Sequence, residues 1–404
     1  MSATRRHDLV ALSLLWLAGA SLRLSILSVP PVLPAIQADL GLSGTEIGVL
    51  SGLPVLVFAL IALPGSLLIS RIGPLRALVG GLLVAALASA WRGAVGGALE
   101  LYAATVVLGA GIAVMQPAFP PIVRHWLPAR IGFATAVFTN GLIVGEFIPV
   151  LLMQPVVLPL VGGSWRAALA FWALPLFAIA AILVALRPRS AEVDRNGLEP
   201  RPRWWPDWRD PMVWRLGVII AGANSPYFGA NAFLPGHLES AGRPDLIGPA
   251  LSGLNLGQLP ASLLLLVYAG RLERRGWPLV VAGLASLVCI VGIALTASVA
   301  TVAFATALGF FGATILVFGL ALPALLQAPA DIARTSAAMF AIGYGEAVLV
   351  SVLGGALWDL AGTPAAAFIP IALSILPLLV LPSTTLFSAA AASAQSASTP
   401  RAKA

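Results

Sequence analysis

Apolar residues run in long blocks along this chain, and polar residues gather at their ends. Read between breakers, the blocks predict helices over 9–36, 45–70, 76–92, 98–123, 132–158, 166–187, 212–236, 246–270, 278–295, 300–327, 335–358 and 363–382. Most are long enough to cross about 30 Å of hydrocarbon at about 1.5 Å per residue. Twelve such blocks predict an all-α, polytopic membrane protein. Internal Gly and Pro are ordinary there, because neighbouring helices satisfy the backbone groups they free. The blocks pause between Pro188 and Pro211, and the Ala/Ser-rich stretch after 382 lacks an apolar span. The expected organisation is a six-helix bundle over 1–187, a cytoplasmic loop over 188–211, a second six-helix bundle over 212–382, and a disordered tail over 383–404. Trp204, Trp205 and Trp208 leave two readings of the loop: a short interfacial helix or belt, or an irregular linker with snorkelling side chains.

Composition agrees with lipid as the main solvent. The chain has 404 residues, 59% of them hydrophobic and 10% charged, whereas a soluble globule carries about 25% charged residues. Mean hydropathy is +0.97. The net charge of +7 would suit nucleic acid, but its placement explains it otherwise. An even number of spans puts both termini on one side, and that side carries 19 Arg or Lys, among them Arg5, Arg6, Arg71, Arg76, Arg124, Arg130 and the seven arginines from Arg187 to Arg215. The opposite loops hold three: Arg92, Arg166 and Arg243. This asymmetry predicts cytoplasmic termini and makes a nucleic-acid role unnecessary. The run from Leu9 to Leu27 continues without a small-residue cleavage site, so a cleaved signal peptide is not expected. Cys289 is the one cysteine, and His7, His125 and His237 are far apart, so neither a disulfide nor a metal cluster is expected. No nucleophile–base pair or phosphate loop appears (Gly80-Gly81 and Gly96-Gly97 lie at span ends), so neither an enzyme nor a cofactor is expected.

The two halves are related by an internal repeat. Leu50-Ser51-Gly52-Leu53 recurs as Leu251-Ser252-Gly253-Leu254, and Leu33-Pro34 recurs as Leu234-Pro235, both at an offset of 201. Arg23 of the first span then corresponds to Asn224 of the seventh. Two six-helix bundles related along the membrane normal form an arrangement typical of solute carriers.

Ionisable groups deep in a span are costly and mark functional candidates. Arg23, Glu146 and Glu346 are three such groups. Arg23 keeps its proton and needs an anion, either a substrate oxyanion or carboxylate that its fork of donors fits, or a protein carboxylate such as Glu146 or Glu346. Burial disfavours a carboxylate and a nearby arginine favours it, so a carboxyl that alternates between those surroundings makes a proton switch. Glu146 and Glu346 are candidates for that role, or for helix–helix hydrogen bonding. Gln116, Asn140, Asn224, Asn231, Asn255 and Gln258 also interrupt apolar spans. Each is either a lining group or interhelical glue worth about 1 kcal/mol. The preferred substrate-binding set is Arg23, Gln116, Asn224, Tyr227, Asn255 and Tyr344, with Tyr227 one turn from Asn224 on the same face. Tyr344 and Phe119 supply either an aromatic wall or packing. Pro30, Pro31 and Pro34 are expected to end the first span, and Pro117, Pro120 and Pro121 to kink the fourth.

Several stretches together resemble a known family. They are Leu22-Arg23, Pro30-Pro31-Val32-Leu33-Pro34-Ala35-Ile36, Asp39-Leu40-Gly41-Leu42-Ser43, Gly52-Leu53-Pro54-Val55, Gly109-Ala110-Gly111-Ile112-Ala113-Val114, Pro128-Ala129-Arg130-Ile131-Gly132, Gly163-Ser164-Trp165-Arg166 and Trp172-Ala173-Leu174-Pro175. Over about residues 12–380 the chain resembles the cyanate-transporter and nitroimidazole-transporter family of the major facilitator superfamily. The family's first-helix arginine matches Arg23, here flanked by Ser21 and Leu24. Where the family's fourth helix often has a Gly-Asn-like pair, this chain has Met115-Gln116, and Ser70-Arg71-Ile72-Gly73 lacks the superfamily's usual acidic residue. The resemblance implies the major facilitator fold and a secondary transporter in a bacterial inner membrane. It would act as a monomer, moving a small anion or small polar solute (cyanate-like, a carboxylate or a nitro-heterocycle), with a proton as candidate partner. The alternative is an exporter of neutral or amphipathic organic compounds.

Overall fold

The computed structural model describes residues 3–42, 44–188, 204–272 and 275–384. Every regular element among them is helical. The chain runs through α1 (Ala3–Leu24), α2 (Leu33–Leu40), α3 (Gly44–Ile72), α4 (Pro74–Trp91), α5 (Ala98–Met115), α6 (Phe119–Trp126), α7 (Ile131–Leu152), α8 (Leu158–Leu160), α9 (Trp165–Phe171) and α10 (Ala173–Leu186). It continues through α11 (Pro211–Ser240), α12 (Ile247–Leu256), α13 (Gln258–Leu272), α14 (Trp277–Leu295), α15 (Val299–Leu326), α16 (Ile332–Ala361), α17 (Phe368–Ile375) and α18 (Pro377–Thr384). Most of the expected loop over 188–211 and tail over 383–404 lies outside the described residues, and 204–210 is irregular rather than helical.

Eleven helical stretches among the described residues are long and apolar enough to cross a membrane. The expected seventh span, 212–236, is not one of them, although α11 is 30 residues long. Its polar residues Asn224, Ser225, Tyr227 and Asn231 lower its average, and Asn224 and Ser225 are buried. A helix that turns such residues inward still meets lipid with an apolar face. Elsewhere large aliphatic side chains point outward: Leu99 is 81% and Leu360 84% exposed, which suits hydrocarbon and not water.

The chain packs as two compact units. Unit 1 holds residues up to Asp207 together with Gln327–Gly345, and unit 2 holds Trp208–Leu326 and residues from Glu346 onward, so the division falls within α16. In unit 1, α1 packs along α7, α5 packs against α3 and α4, and α10 covers α4. In unit 2, α15 is the central helix, contacted by α11, α12, α13 and α14, while α17 and α18 close against α11 and α14.

Several spans are interrupted. The first is not one helix over 9–36: α1 ends at Leu24, well before the prolines, and a turn and a 3-10 segment (Pro30–Val32) lead into α2. In the fourth, Pro117 cannot donate to the carbonyl four residues back, and the chain tightens to 3-10 over Gln116–Ala118 before α6. Gly257 separates α12 from α13 in the eighth. Arg23, Gln116 and Asn255 all stand within two residues of such a break.

Candidate functional site

The unit 1 site begins with glycine. Gly141 and Gly145 are one turn apart on α7, and a Cβ on either would run into the backbone of Trp16 or Ala20 on α1. Because Trp16 faces Gly141 and Ala20 faces Gly145, the two helices run side by side in the same direction. Small residues permit this close approach, as in other membrane helix pairs. The Trp16 indole N–H donates to Asn140 Oδ1 at 2.9 Å, which fixes the register. Further along the seam, Arg23 Nε meets Glu146 Oε1 at 3.2 Å, with both side chains nearly buried.

Three other elements of unit 1 complete the surroundings. The Arg23 guanidinium lies 5.9 Å from the centroid of the Phe58 ring, a cation–π distance. Tyr344 of α16 donates its hydroxyl to Gln116 Oε1 at 2.8 Å and feels the charges of Arg23 and Glu146. Its ring is tilted against Phe58 at 5.2 Å and stacked with Phe340 at 6.1 Å. Of the residues singled out in the sequence, the structure thus gathers Arg23, Glu146, Gln116 and Tyr344. Phe58 and Phe340 join them without any mark in their apolar runs. Phe119 stacks on Phe138 at 4.0 Å and is fully buried, which is packing. The result is a cation and a carboxylate that neutralise each other, an amide, a phenol and an aromatic face. It can exchange an internal ion pair for one with a bound anion, and it can stack a planar solute.

Unit 2 carries an uncharged counterpart. Tyr227 of α11 donates to Asn255 Oδ1 of α12 at 2.8 Å, and Asn255 donates in turn to the Leu251 carbonyl at 2.8 Å. Asn231 donates to the Tyr227 carbonyl at 2.8 Å. One turn from the Tyr227–Asn255 bond on either helix are Asn224 and Gln258, whose amide nitrogens are buried with no hydrogen-bond partner among the described residues. Buried polar groups are rarely left so, and these donors suit an acceptor brought from outside. Glu346 is half-buried and forms no ion pair with any described residue. Of the two carboxylates that the sequence offered to Arg23, the one paired in unit 1 is Glu146.

Residues 15–357 match the Major Facilitator Superfamily. The chain belongs to that superfamily. It is 27% identical to the uncharacterized transporter YycB of Bacillus subtilis over 270 residues, 66% of this chain and 65% of that one, just under two thirds of its length. It is 27% identical to the cyanate transport protein CynX of Escherichia coli, covering 65% of this chain and 68% of that protein. The 2-nitroimidazole transporter of Escherichia coli is 25% identical over 72% of both chains. Among solved structures, the human organic anion transporter MFSD10 superposes with a TM-score of 0.72 at 15% identity, covering 94% of this chain and 100% of that one. FucP in its outward conformation superposes with a TM-score of 0.66 at 13% identity, covering 92% and 97%. These likenesses establish the major facilitator fold of a multi-pass membrane protein.

Proposed function

We propose that this chain is a secondary transporter that moves a small anion or small polar organic solute across the bacterial inner membrane by alternating access. Both termini are taken to be cytoplasmic. The observation that carries the reading is the nearly buried Arg23–Glu146 pair at 3.2 Å, set among Gln116, Tyr344 and Phe58. The solute's carboxylate or oxyanion takes the Arg23 guanidinium, and Gln116 and Tyr344 orient it by hydrogen bonds. Within unit 2, Asn224, Tyr227 and Asn255 are taken as candidate neutral solute contacts. Charge balance then assigns a role to Glu146. A single guanidinium neutralises one anion, so when the solute anion arrives Glu146 is left as a second, desolvated charge. A proton on Glu146 restores neutrality, which couples anion and proton movement in the same direction. Glu346 is the second candidate proton carrier. Names of relatives support the solute class, since cyanate is an anion and 2-nitroimidazole a small polar heterocycle.

A second reading also has an observation behind it. Because Glu146 already neutralises Arg23, a neutral heterocycle could stack on Phe58 and Tyr344 without displacing either charge, as an exporter of neutral compounds requires. Proteoliposomes distinguish the two. Uptake of labelled cyanate, a small carboxylate and 2-nitroimidazole is measured for the parent and for Arg23→Ala/Glu146→Gln, which removes both charges together. The anion reading expects loss of anion uptake to background, and near-parental anion uptake in the double variant sinks it. Retained transport of 2-nitroimidazole alone favours the second reading.

A further inference from the structure

Arg92 reads in the sequence as an ordinary loop arginine, yet it is 1% exposed and is the largest fully buried side chain among the described residues. No carboxylate pairs with it among the described residues. Its Nη1 donates to the Ser25 carbonyl at 2.9 Å and its Nη2 to Thr105 Oγ1 at 3.1 Å. Its Nε has no partner among the described residues. A buried guanidinium with only neutral acceptors is unfavourable unless those acceptors need it.

The break after α1 supplies the need. In a continuing helix the Ser25 carbonyl would accept from the amide of Val29. Here Val29 donates instead to the Ile26 carbonyl at 3.3 Å, while the amides of Ile26 and Leu27 crowd onto the Arg23 carbonyl at 3.1 and 3.0 Å. Ser25 is therefore left with an orphan carbonyl at the negative end of α1, where a cation is favoured. Arg92 and the Ser28 hydroxyl, at 2.8 Å, satisfy it. The same knot is tied elsewhere: the Ser25 hydroxyl donates to Ser89 of α4 at 2.7 Å, and Ser89 donates to the Leu169 carbonyl of α9 at 3.0 Å. Ser25, Ser28 and Ser89 are wholly buried. Arg23, whose guanidinium meets Glu146, is two residues from the carbonyl that Arg92 grips.

We infer that Arg92 is a positioning residue for solute binding: by clasping the Ser25 carbonyl and Thr105 it fixes the break in the first span, and through it the place of the Arg23 guanidinium. This rests on the anion reading of Arg23 given above. Arg92 touches no solute itself. Its effect passes through two residues of backbone, and small misplacements of a binding group carry large penalties.

The test uses the purified full chain with Arg92→Gln, Arg92→Lys and Thr105→Val. Backbone amide exchange is followed by mass spectrometry over residues 24–29. Arg92→Gln is expected to speed exchange at Ile26, Leu27 and Val29 by about tenfold or more, a local opening with α14 and α15 unchanged. Arg92→Lys and Thr105→Val, which keep a buried cation and a folded chain should Arg92→Gln not accumulate, are expected to give smaller changes in the same segment. In parallel, the cyanate concentration giving half-maximal thermal stabilisation is expected to rise by about tenfold in Arg92→Gln, with Arg92→Lys between it and the parent. Unchanged exchange over 24–29 in all three variants overturns the inference. So does a lowered melting temperature with an unmoved half-saturating concentration, the pattern of a purely structural arginine. If cyanate and a panel of small carboxylates fail to stabilise the parent, the anion reading fails separately, and the exchange measurement decides for Arg92.

Discussion

The two units place different chemistry at corresponding points of one repeat. Where the first carries Arg23, the offset of 201 puts Asn224 in the second. Unit 1 resolves its buried charge internally, with Glu146 at 3.2 Å. The Tyr227 and Asn255 contact of unit 2 is uncharged, while Glu346 of the same unit is half-buried and forms no ion pair with any described residue. Unit 2 uses the Tyr227–Asn255 bond at 2.8 Å, and the amide donors of Asn224 and Gln258 have no partner among the described residues. Packing beside the two sites is alike. Gly145 lets α7 approach the Ala20 carbonyl of α1, and Gly257 lets the α12–α13 junction approach the Thr306 carbonyl of α15. Each unit thus uses glycine for a close helix approach, at different points of the repeat, while the electrostatics at the Arg23 and Asn224 positions differ.

The strongest way to break this contrast is to leave one charge of unit 1 alone. Arg23→Ala strands Glu146 in a nearly buried place, and losing one partner of a buried pair costs about 3–5 kcal/mol. Arg23→Ala/Glu146→Gln strands nothing, so it should recover most of that loss. Unfolding in mixed detergent micelles measures both. Asn224→Ala, the corresponding change in unit 2, should fall well below the single Arg23 variant. Equal losses for Arg23→Ala and Asn224→Ala would erase the distinction between the ion pair of unit 1 and the neutral residues of unit 2.

The sequence made the spans legible because lipid demands long apolar runs, and it made Arg23 and Glu146 stand out because charge in such runs is rare. It also held the offset that relates Arg23 to Asn224. Other features were harder to see. The end of α1 at Leu24 is not announced by a breaker, since the prolines come only at Pro30. Ser21, Ser25 and Ser28, at helical spacing, were the available trace of a buried polar seam there. Arg92 follows Trp91 at a span end, where an arginine ordinarily reaches water, and nothing local distinguishes a buried one. Phe58 and Phe340 were invisible because aromatic residues in apolar spans usually pack. Tyr344 and Gln116 meet across 228 positions of sequence, a pairing that no local pattern carries.

The next test concerns the close glycine approach found in a helix seam of each unit. Gly145→Ala and Gly257→Ala each add a methyl group where backbone already fills the space. Each should cost about 1–3 kcal/mol, the usual range for overpacking, and the two values should be similar. Gly145→Ala should also weaken anion binding, because it shifts α1 against α7 and so Arg23 against Glu146. A large stability difference between the two variants would mean that packing, and not only charge, separates the units.

The smallest expected effect concerns the neutral residues of unit 2. A double-mutant cycle of Tyr227→Phe and Asn255→Ala isolates the bond between them from the rest of α11 and α12. Interhelical hydrogen bonds within membranes average about 0.6 kcal/mol in such cycles, because the separated helices find other partners. The same value is expected here, since Asn255 keeps its bond to the Leu251 carbonyl and Tyr227 is only part-buried. A coupling energy as large as that of Arg23 with Glu146 would instead make Tyr227–Asn255 a structural clasp. Unit 2 would then be held as rigidly as unit 1, and its neutral residues would not be free to turn toward a solute.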